Sequence, residues 1–253
     1  MKRWRLKLLG LILLSTLLLL SHMNRTAEAR KSGNDKETPR VIVILVDMSG
    51  SANRARSTVY REAFEKIYQS LSQGDRVMVG TITSRSYIDF KPAVDAEIPK
   101  NTIWVNRIQF ERNLTETKEK IRREVDRLLS RKRGTQRTEI LNSLNIADTI
   151  FHNEKRQKIL VILSDMIQDS KEFNFTRVKI TDNYIDKLIR YRRKHNLIPN
   201  LTDVKVYVAG ASGADPNKFR SVENFWARYF AESGADFSRH RYGHSLISFE
   251  KEP

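Results

Sequence analysis

Oxygen-bearing side chains follow a buried, strand-like run early in the sequence. The run VIVILVD, residues 41–47, is apolar up to its last residue, and Asp47, Ser49 and Ser51 then occur at every second position. The aspartate supplies a carboxylate and the serines supply hydroxyls, which are hard oxygen donors of the kind that Mg²⁺ and Mn²⁺ prefer. These side chains are therefore candidate oxygen donors on the turn that leaves the strand.

Two further segments offer the same chemistry. The run KILVILSD ends in Asp165, and Thr138 lies just ahead of an apolar helical pattern, with Thr135 as an alternative hydroxyl. Ligands of open α/β sheets bind beyond the carboxyl ends of the strands, so these groups are expected to converge on one crevice. Because Asp, Ser and Thr are also common turn and helix-cap residues, the prediction rests on the whole set. The predicted ligands are Asp47, Ser49, Ser51, Thr138 and Asp165.

The elements that position these residues are predicted from hydrophobic periodicity. Strands are predicted at Val41–Val46, Arg76–Thr83, Lys158–Met166, Val204–Ala209 and Ser245–Phe249, with Tyr87–Phe90 as a candidate edge strand. Helices are predicted at Thr58–Leu71, Thr115–Leu129, Thr138–Phe151, Thr181–His195 and Val222–Glu232. Continuously apolar strands separated by helices predict an α/β fold, a doubly wound and mostly parallel central sheet with helices on both faces. Residues 99–112 fit this pattern least well and are interpreted as an insertion.

The first 29 residues have the layout of a secretory signal peptide. Basic residues precede an apolar run from Leu8 to Leu20, and a small-x-small site ends at Ala29. An uncleaved N-terminal membrane anchor is the alternative. Either arrangement places the remaining chain outside the cytoplasm, in the periplasm or the extracellular space. Residues 30–39 are polar and are interpreted as a linker, followed by one domain over residues 40–250.

Composition narrows the class of function. The chain has no cysteine, which excludes disulfides, thiolate metal sites and a cysteine nucleophile. Its formal net charge is +16, and removal of residues 1–29, with five Lys/Arg and one acid, leaves +12. Such an excess favours acidic proteins or an anionic envelope surface as partners, whereas nucleic acid does not fit the compartment. Arg131, Arg133 and Arg137 precede Thr138 and are predicted to form a basic partner-binding rim around the site.

The order and context of these motifs resemble the von Willebrand factor type A (vWA) domain. The resemblance is carried by the DxSxS at Asp47, Ser49 and Ser51, by the threonine opening TEILNSL, and by the aspartate closing ILVILSD. In that family these elements form the metal-ion-dependent adhesion site (MIDAS). The resemblance implies a Rossmann-like vWA fold over nearly all of the mature chain. One departure is Met166, which stands where the family commonly has glycine, so the shape of that loop is in question.

The resemblance also implies how the residues act. Ser49, Ser51 and Thr138 would coordinate Mg²⁺ or Mn²⁺ through their hydroxyls, with Asp47 and Asp165 acting directly or through water. An acidic residue of a partner protein would fill the remaining coordination position. The expected function is therefore an exported adhesion or complex-assembly module and not an enzyme. Two alternatives remain open: a metal-dependent hydrolase using the same crevice, for which no separate general base is evident, and a metal-free module that binds through its basic surface.

Overall fold

The computed structural model describes residues 38–49, 54–85, 88, 90–102, 104–131 and 137–250. The predicted signal peptide, Ser51, Arg133 and the alternative ligand Thr135 lie outside these ranges. The chain divides after Thr38 into two units, of which the second, Pro39–Pro253, holds nearly all of the described residues. Within the described ranges, no helix combines the length and the apolar character that crossing a membrane requires.

In the part of the chain that the structure describes, six strands form one sheet. They are β1 (Arg40–Asp47), β2 (Arg76–Ile82), β3 (Val94–Glu97), β4 (Gln157–Leu163), β5 (Val204–Ala209) and β6 (Asp236–Gly243). Their order across the sheet is β3-β2-β1-β4-β5-β6, and every neighbouring pair is parallel except β2 with β3. The predicted fold class, a mostly parallel α/β sheet, is confirmed.

Helices cover both faces of the sheet. In the described residues they are α1 (Arg54–Gln69), α2 (Arg107–Ser130), α3 (Ile140–Phe151), α4 (Asp182–Lys194) and α5 (Pro216–Glu232). Alternate residues of β1 point to opposite faces, as in any strand. Val41, Val43 and Leu45 belong to an apolar cluster with α3, α4 and α5, whereas Ile42, Ile44 and Val46 belong to a second cluster with α1 and α2. Burial on both faces explains why β1 is apolar without interruption from Val41 to Val46.

Two sheet-edge predictions differ from the structure. The strand that pairs with β2 is Val94–Glu97. Of the candidate edge strand Tyr87–Phe90, Tyr87 and Asp89 lie outside the described residues, and the Phe90 ring lies over Gly80, in the space that a side chain there would fill. The last strand is β6 and not Ser245–Phe249. Leu246 and Phe249 of that segment are buried in the cluster with α1 and α2 without joining the sheet, whereas Ile247 is 79% exposed. β6 is half-exposed and too polar to be recognised by its pattern.

Helix boundaries also differ from the sequence prediction. α2 begins at Arg107, where the Asn106 side chain accepts a hydrogen bond from the Gln109 backbone N–H at 2.8 Å, so part of the predicted insertion is its first turns. α5 begins at Pro216, six residues before the predicted start, because Asp215 caps it. α3 begins at Ile140 and leaves Thr138 outside the helix, in a short backbone bridge.

Candidate metal-binding site

The candidate site lies at the carboxyl edge of β1 and β4. These central strands are parallel neighbours, and the connections from them lead to opposite sides of the sheet, which makes this edge a topological switch point. In open α/β sheets the ligand crevice forms at such a point. The pairing of Val46 with Leu163 places Asp47 level with Ser164, one residue before Asp165.

Asp47 is fully buried at the end of β1. Its Oδ1 accepts a hydrogen bond from the backbone N–H of Ser49 at 2.8 Å, and its Oδ2 accepts one from the Ser164 hydroxyl at 2.9 Å. These donors fix the orientation of the carboxylate and join the ends of β1 and β4. Ser164 was not predicted to matter, although its place beside Asp165 in the motif was a usable signal.

Ser164 and Asp165 also order the loop after β4. The Ser164 hydroxyl accepts the Met166 N–H at 3.0 Å, and Asp165 Oδ1 accepts the Ile167 N–H at 2.9 Å. Met166 has a left-handed backbone with φ of 64°, a conformation that glycine adopts without steric penalty and that other residues adopt rarely. Its side chain is fully buried, and its carbonyl accepts the Trp226 Nε1–H at 2.9 Å. Met166 therefore adopts a conformation that glycine would favour.

Thr138 is buried next to this loop. It exchanges two backbone hydrogen bonds with Asp169, at 3.0 and 2.9 Å, and the N–H of the following residue, Glu139, donates to the Thr83 carbonyl beyond β2. The buried Gln168 side chain accepts the Leu141 N–H at 3.0 Å and so caps α3 from the β4 loop. Thr138 is thus tied to the loops after β2 and β4, on either side of the end of β1. Among the described residues, its hydroxyl has no hydrogen-bond partner.

An arginine that the sequence analysis missed enters the site from α1. Arg56 Nη1 lies 3.0 Å from Asp165 Oδ2, and the two side chains are 15% and 8% exposed. Its position in the first turn of the helix after the DxSxS motif carried no sequence signal, because the chain is rich in arginine.

A buried tyrosine also faces this region. The Tyr242 hydroxyl, near the end of β6, is buried without a hydrogen-bond partner in the described part of the chain. Burial raises its pKa first, and the negative charges of Glu223 and Asp165 raise it further.

Of the predicted rim, Arg131 and Arg137 are described, and both are exposed. Arg137 also borders an open groove of about 900 Å³ along α3. The charged side chains that line this groove are Arg85, Arg137, Lys171, Glu139 and Asp148. The described lining of this groove therefore carries three basic and two acidic side chains.

The candidate ligands at this edge are all oxygen donors. The structure brings Asp47, Ser49, Thr138 and Asp165 to one edge of the sheet, all buried, with relative exposures between 0% and 6%. Two carboxylates and neutral hydroxyls are the hard donors that Mg²⁺ or Mn²⁺ accepts, so these residues fit such an ion. A cluster of three or more acidic or histidine side chains, which would be a stronger metal signature, is absent from the described residues.

The fold is a mostly parallel α/β sheet with the candidate site at its topological switch point. Comparison with models of protein families finds no match, and comparison with curated protein sequences finds none either. The chain is similar to solved structures. One is a von Willebrand factor type A protein from Catenulispora acidiphila, with 16% identity over 78% of this chain and 43% of that one, at a TM-score of 0.40.

Two further structures show the same likeness. The manganese-loaded TRAP protein of Plasmodium vivax is 13% identical over 81% of this chain and 68% of that one, at a TM-score of 0.43. The pilus adhesin SpaC from Lactobacillus rhamnosus GG is 15% identical over 84% of this chain and 29% of that one, at a TM-score of 0.46. The chain spans less than half the length of the Catenulispora protein and of SpaC. At these identities and TM-scores the likeness concerns the fold and carries nothing about ligand or partner.

Proposed function

We propose that this chain is an exported binding module of the periplasm, cell envelope or extracellular space. It holds Mg²⁺ or Mn²⁺ at Asp47, Ser49, Ser51, Thr138 and Asp165, and it binds an acidic residue of a partner protein through that ion. One observation above others supports the proposal. Carboxylates and hydroxyls from three segments that are distant in the sequence lie buried at the same edge of the sheet, at its switch point.

The residues have different parts in this proposal. Asp47 is held by the Ser49 N–H and the Ser164 hydroxyl, so its carboxylate is oriented before any ligand arrives. The hydroxyls of Ser49 and Thr138 add donors without adding negative charge. When bound, a divalent ion supplies the excess positive charge that draws a carboxylate from the partner. Adhesion or assembly of a larger complex is the activity that such a contact serves.

We propose a binding protein and not an enzyme. Both carboxylates have a place in the ligand set, and each already accepts hydrogen bonds from the chain. Hydrolysis would need a further group to take up a proton. The alternative of a metal-dependent hydrolase predicts metal-stimulated turnover of ester or phosphate substrates. The alternative of a metal-free module is favoured by the Arg56–Asp165 ion pair, since a resident cation already compensates one carboxylate.

Calorimetric titration of the purified protein with Mg²⁺ and Mn²⁺ tests the metal site. Thr138→Ala is expected to weaken binding at least tenfold, because it removes a ligand whose hydroxyl has no hydrogen-bond partner among the described residues. Thr115→Ala is the matched control, because this exposed threonine on α2 only donates to the Glu111 carbonyl. Equal affinity of wild type and Thr138→Ala would contradict the ligand set, and partner capture that survives a chelator would contradict the bridging role.

A further inference from the structure

Asp165 already has a cation next to it. The Arg56 guanidinium approaches Oδ2 of this carboxylate to 3.0 Å, while Oδ1 accepts the Ile167 N–H. At 15% and 8% exposure the two side chains are largely shielded from water. Water and salt weaken exposed ion pairs, so a shielded pair with direct contact interacts more strongly.

This ion pair lies where the proposed site needs free negative charge. Asp47 and Asp165 would give an ion two negative charges, but Arg56 reduces the net charge of the three side chains to −1. A divalent cation bound at Asp165 would also lie a few ångströms from the guanidinium, and like charges at that distance repel each other. A metal ion and the Arg56 guanidinium that both contact the same carboxylate oxygen would repel each other, so the binding of one disfavours the other.

We propose that Arg56 is a tethered competitor of the divalent cation for Asp165. Binding of the ion exchanges one cation for another at the carboxylate and releases the guanidinium. The site therefore has a closed state, in which Arg56 holds Asp165, and a loaded state, in which it does not. The apparent affinity for metal is the intrinsic affinity multiplied by the fraction of molecules in which Arg56 does not hold Asp165. This inference rests on the proposed function, because it concerns occupancy of the same site.

The closed state also stabilises the protein without metal. In the absence of a positive charge, two carboxylates at the ends of neighbouring strands repel each other, and Arg56 relieves that repulsion. It joins the first turn of α1 to the loop after β4 by a charge-assisted contact. The same side chain is thus expected to favour the metal-free fold and to oppose metal binding.

The test compares wild type, Arg56→Gln and Arg61→Gln as full chains. Arg61 lies on the same helix, and its ion pair with Asp126 is 43% and 54% exposed, so Arg61→Gln controls for loss of a charge from α1. Calorimetric titration with Mn²⁺ is expected to show binding at least tenfold tighter in Arg56→Gln than in wild type, and unchanged in Arg61→Gln. Thermal unfolding without metal is expected at a lower temperature in Arg56→Gln, with a larger upward shift on adding Mn²⁺.

Displacement can be observed directly in the wild-type protein. In an NMR spectrum of arginine Nε–H groups, Mg²⁺ is expected to move the Arg56 signal toward the position of a solvated guanidinium and to leave the Arg61 signal in place. Equal metal affinity in wild type and Arg56→Gln, or weaker binding in a folded Arg56→Gln, overturns the competition while the metal site stands. Absence of metal binding in all three proteins overturns the proposed function instead.

Discussion

Met166 combines a left-handed backbone with a fully buried side chain, and these two features favour different residue types. Its backbone is left-handed, which costs a non-glycine residue about 1–2 kcal/mol. Its side chain is fully buried in the apolar cluster beneath α3, α4 and α5, where it contributes to packing. Glycine would adopt this backbone without strain but would leave the buried space unfilled. The lost packing is expected to outweigh the relieved strain, so methionine is expected to be more stable than glycine at this position.

Two substitutions at this position separate the backbone effect from the packing effect. Met166→Ala is expected to lower the free energy of unfolding by about 2–5 kcal/mol, since it leaves a cavity and keeps the strained backbone. Met166→Gly removes the same packing but relieves the strain, so it is expected to be less destabilising than Met166→Ala by about 1 kcal/mol. Urea denaturation measures both. A glycine variant less stable than the alanine variant would contradict the strain argument.

At the scale of elements, a buried arginine joins α4 to α3 and α5. Arg192 is 1% exposed, and its guanidinium donates to the Tyr229 hydroxyl at 2.8 Å, to the Asn142 side chain at 3.2 Å and to the Leu141 and Leu197 carbonyls. Asn142 and Leu141 belong to the first turn of α3, directly after the Thr138 bridge. The arginine therefore supports the helix start that follows a predicted metal ligand.

Arg192→Lys tests this support. A lysine ammonium lacks the planar fork that contacts several acceptors at once, so some of them would lose their donor. We expect the free energy of unfolding to fall by about 2 kcal/mol. Arg193→Lys is the matched control, because Arg193 is 62% exposed and pairs only with Glu232 among the described residues, so its loss is expected to be within about 1 kcal/mol. Equal effects in urea denaturation would contradict the role of Arg192.

The turn between α3 and β4 has a pH-dependent contact. The Arg156 guanidinium donates to both oxygens of Glu154, at 2.9 and 2.8 Å, and these bonds lower the pKa of Glu154 to about 2. Because the folded-state pKa is depressed, the contact stabilises the protein above the ordinary carboxyl pKa of about 4.5 and is lost as the pH falls toward 2.

Thermal unfolding of wild type and Glu154→Gln between pH 7 and pH 2 checks this contact. The wild type is expected to unfold at the higher temperature from pH 5 to 7, and the difference is expected to shrink below pH 4.5 and disappear near pH 2. Glu119→Gln, on the exposed face of α2 beside Arg123, serves as the control for loss of a surface charge. A difference that stays constant down to pH 2 would contradict the depressed pKa.

At the scale of the whole molecule, the predicted leader concerns the compartment in which the protein acts. If residues 1–29 are a cleaved signal peptide, the exported protein begins at Arg30 and is released from the membrane. Intact-mass measurement of the protein recovered from the cell envelope checks this. A mass that includes residues 1–29 would establish the uncleaved anchor instead, and the binding site would then act at a membrane surface.

The sequence by itself determined the fold class and most of the proposed ligands, because both depend on local patterns. β1 is apolar from Val41 to Val46 and β4 from Ile159 to Leu163. Asp47 ends β1, and Ser49 and Asp165 follow β1 and β4 at positions that the strand ends fix. β6 was missed because it is half-exposed. The segment that ends at Phe249 was wrongly predicted as a strand, because burial beneath α1 and α2 produces the same apolar pattern as a strand. The tertiary structure alone decided that Ser164 orients Asp47, that Gln168 caps α3, and that Arg56 meets Asp165. Each of these contacts joins the loop after β4 to a different element: β1, α3 or α1. Their geometry depends on how the sheet and helices pack, so no periodic pattern in the sequence predicts them.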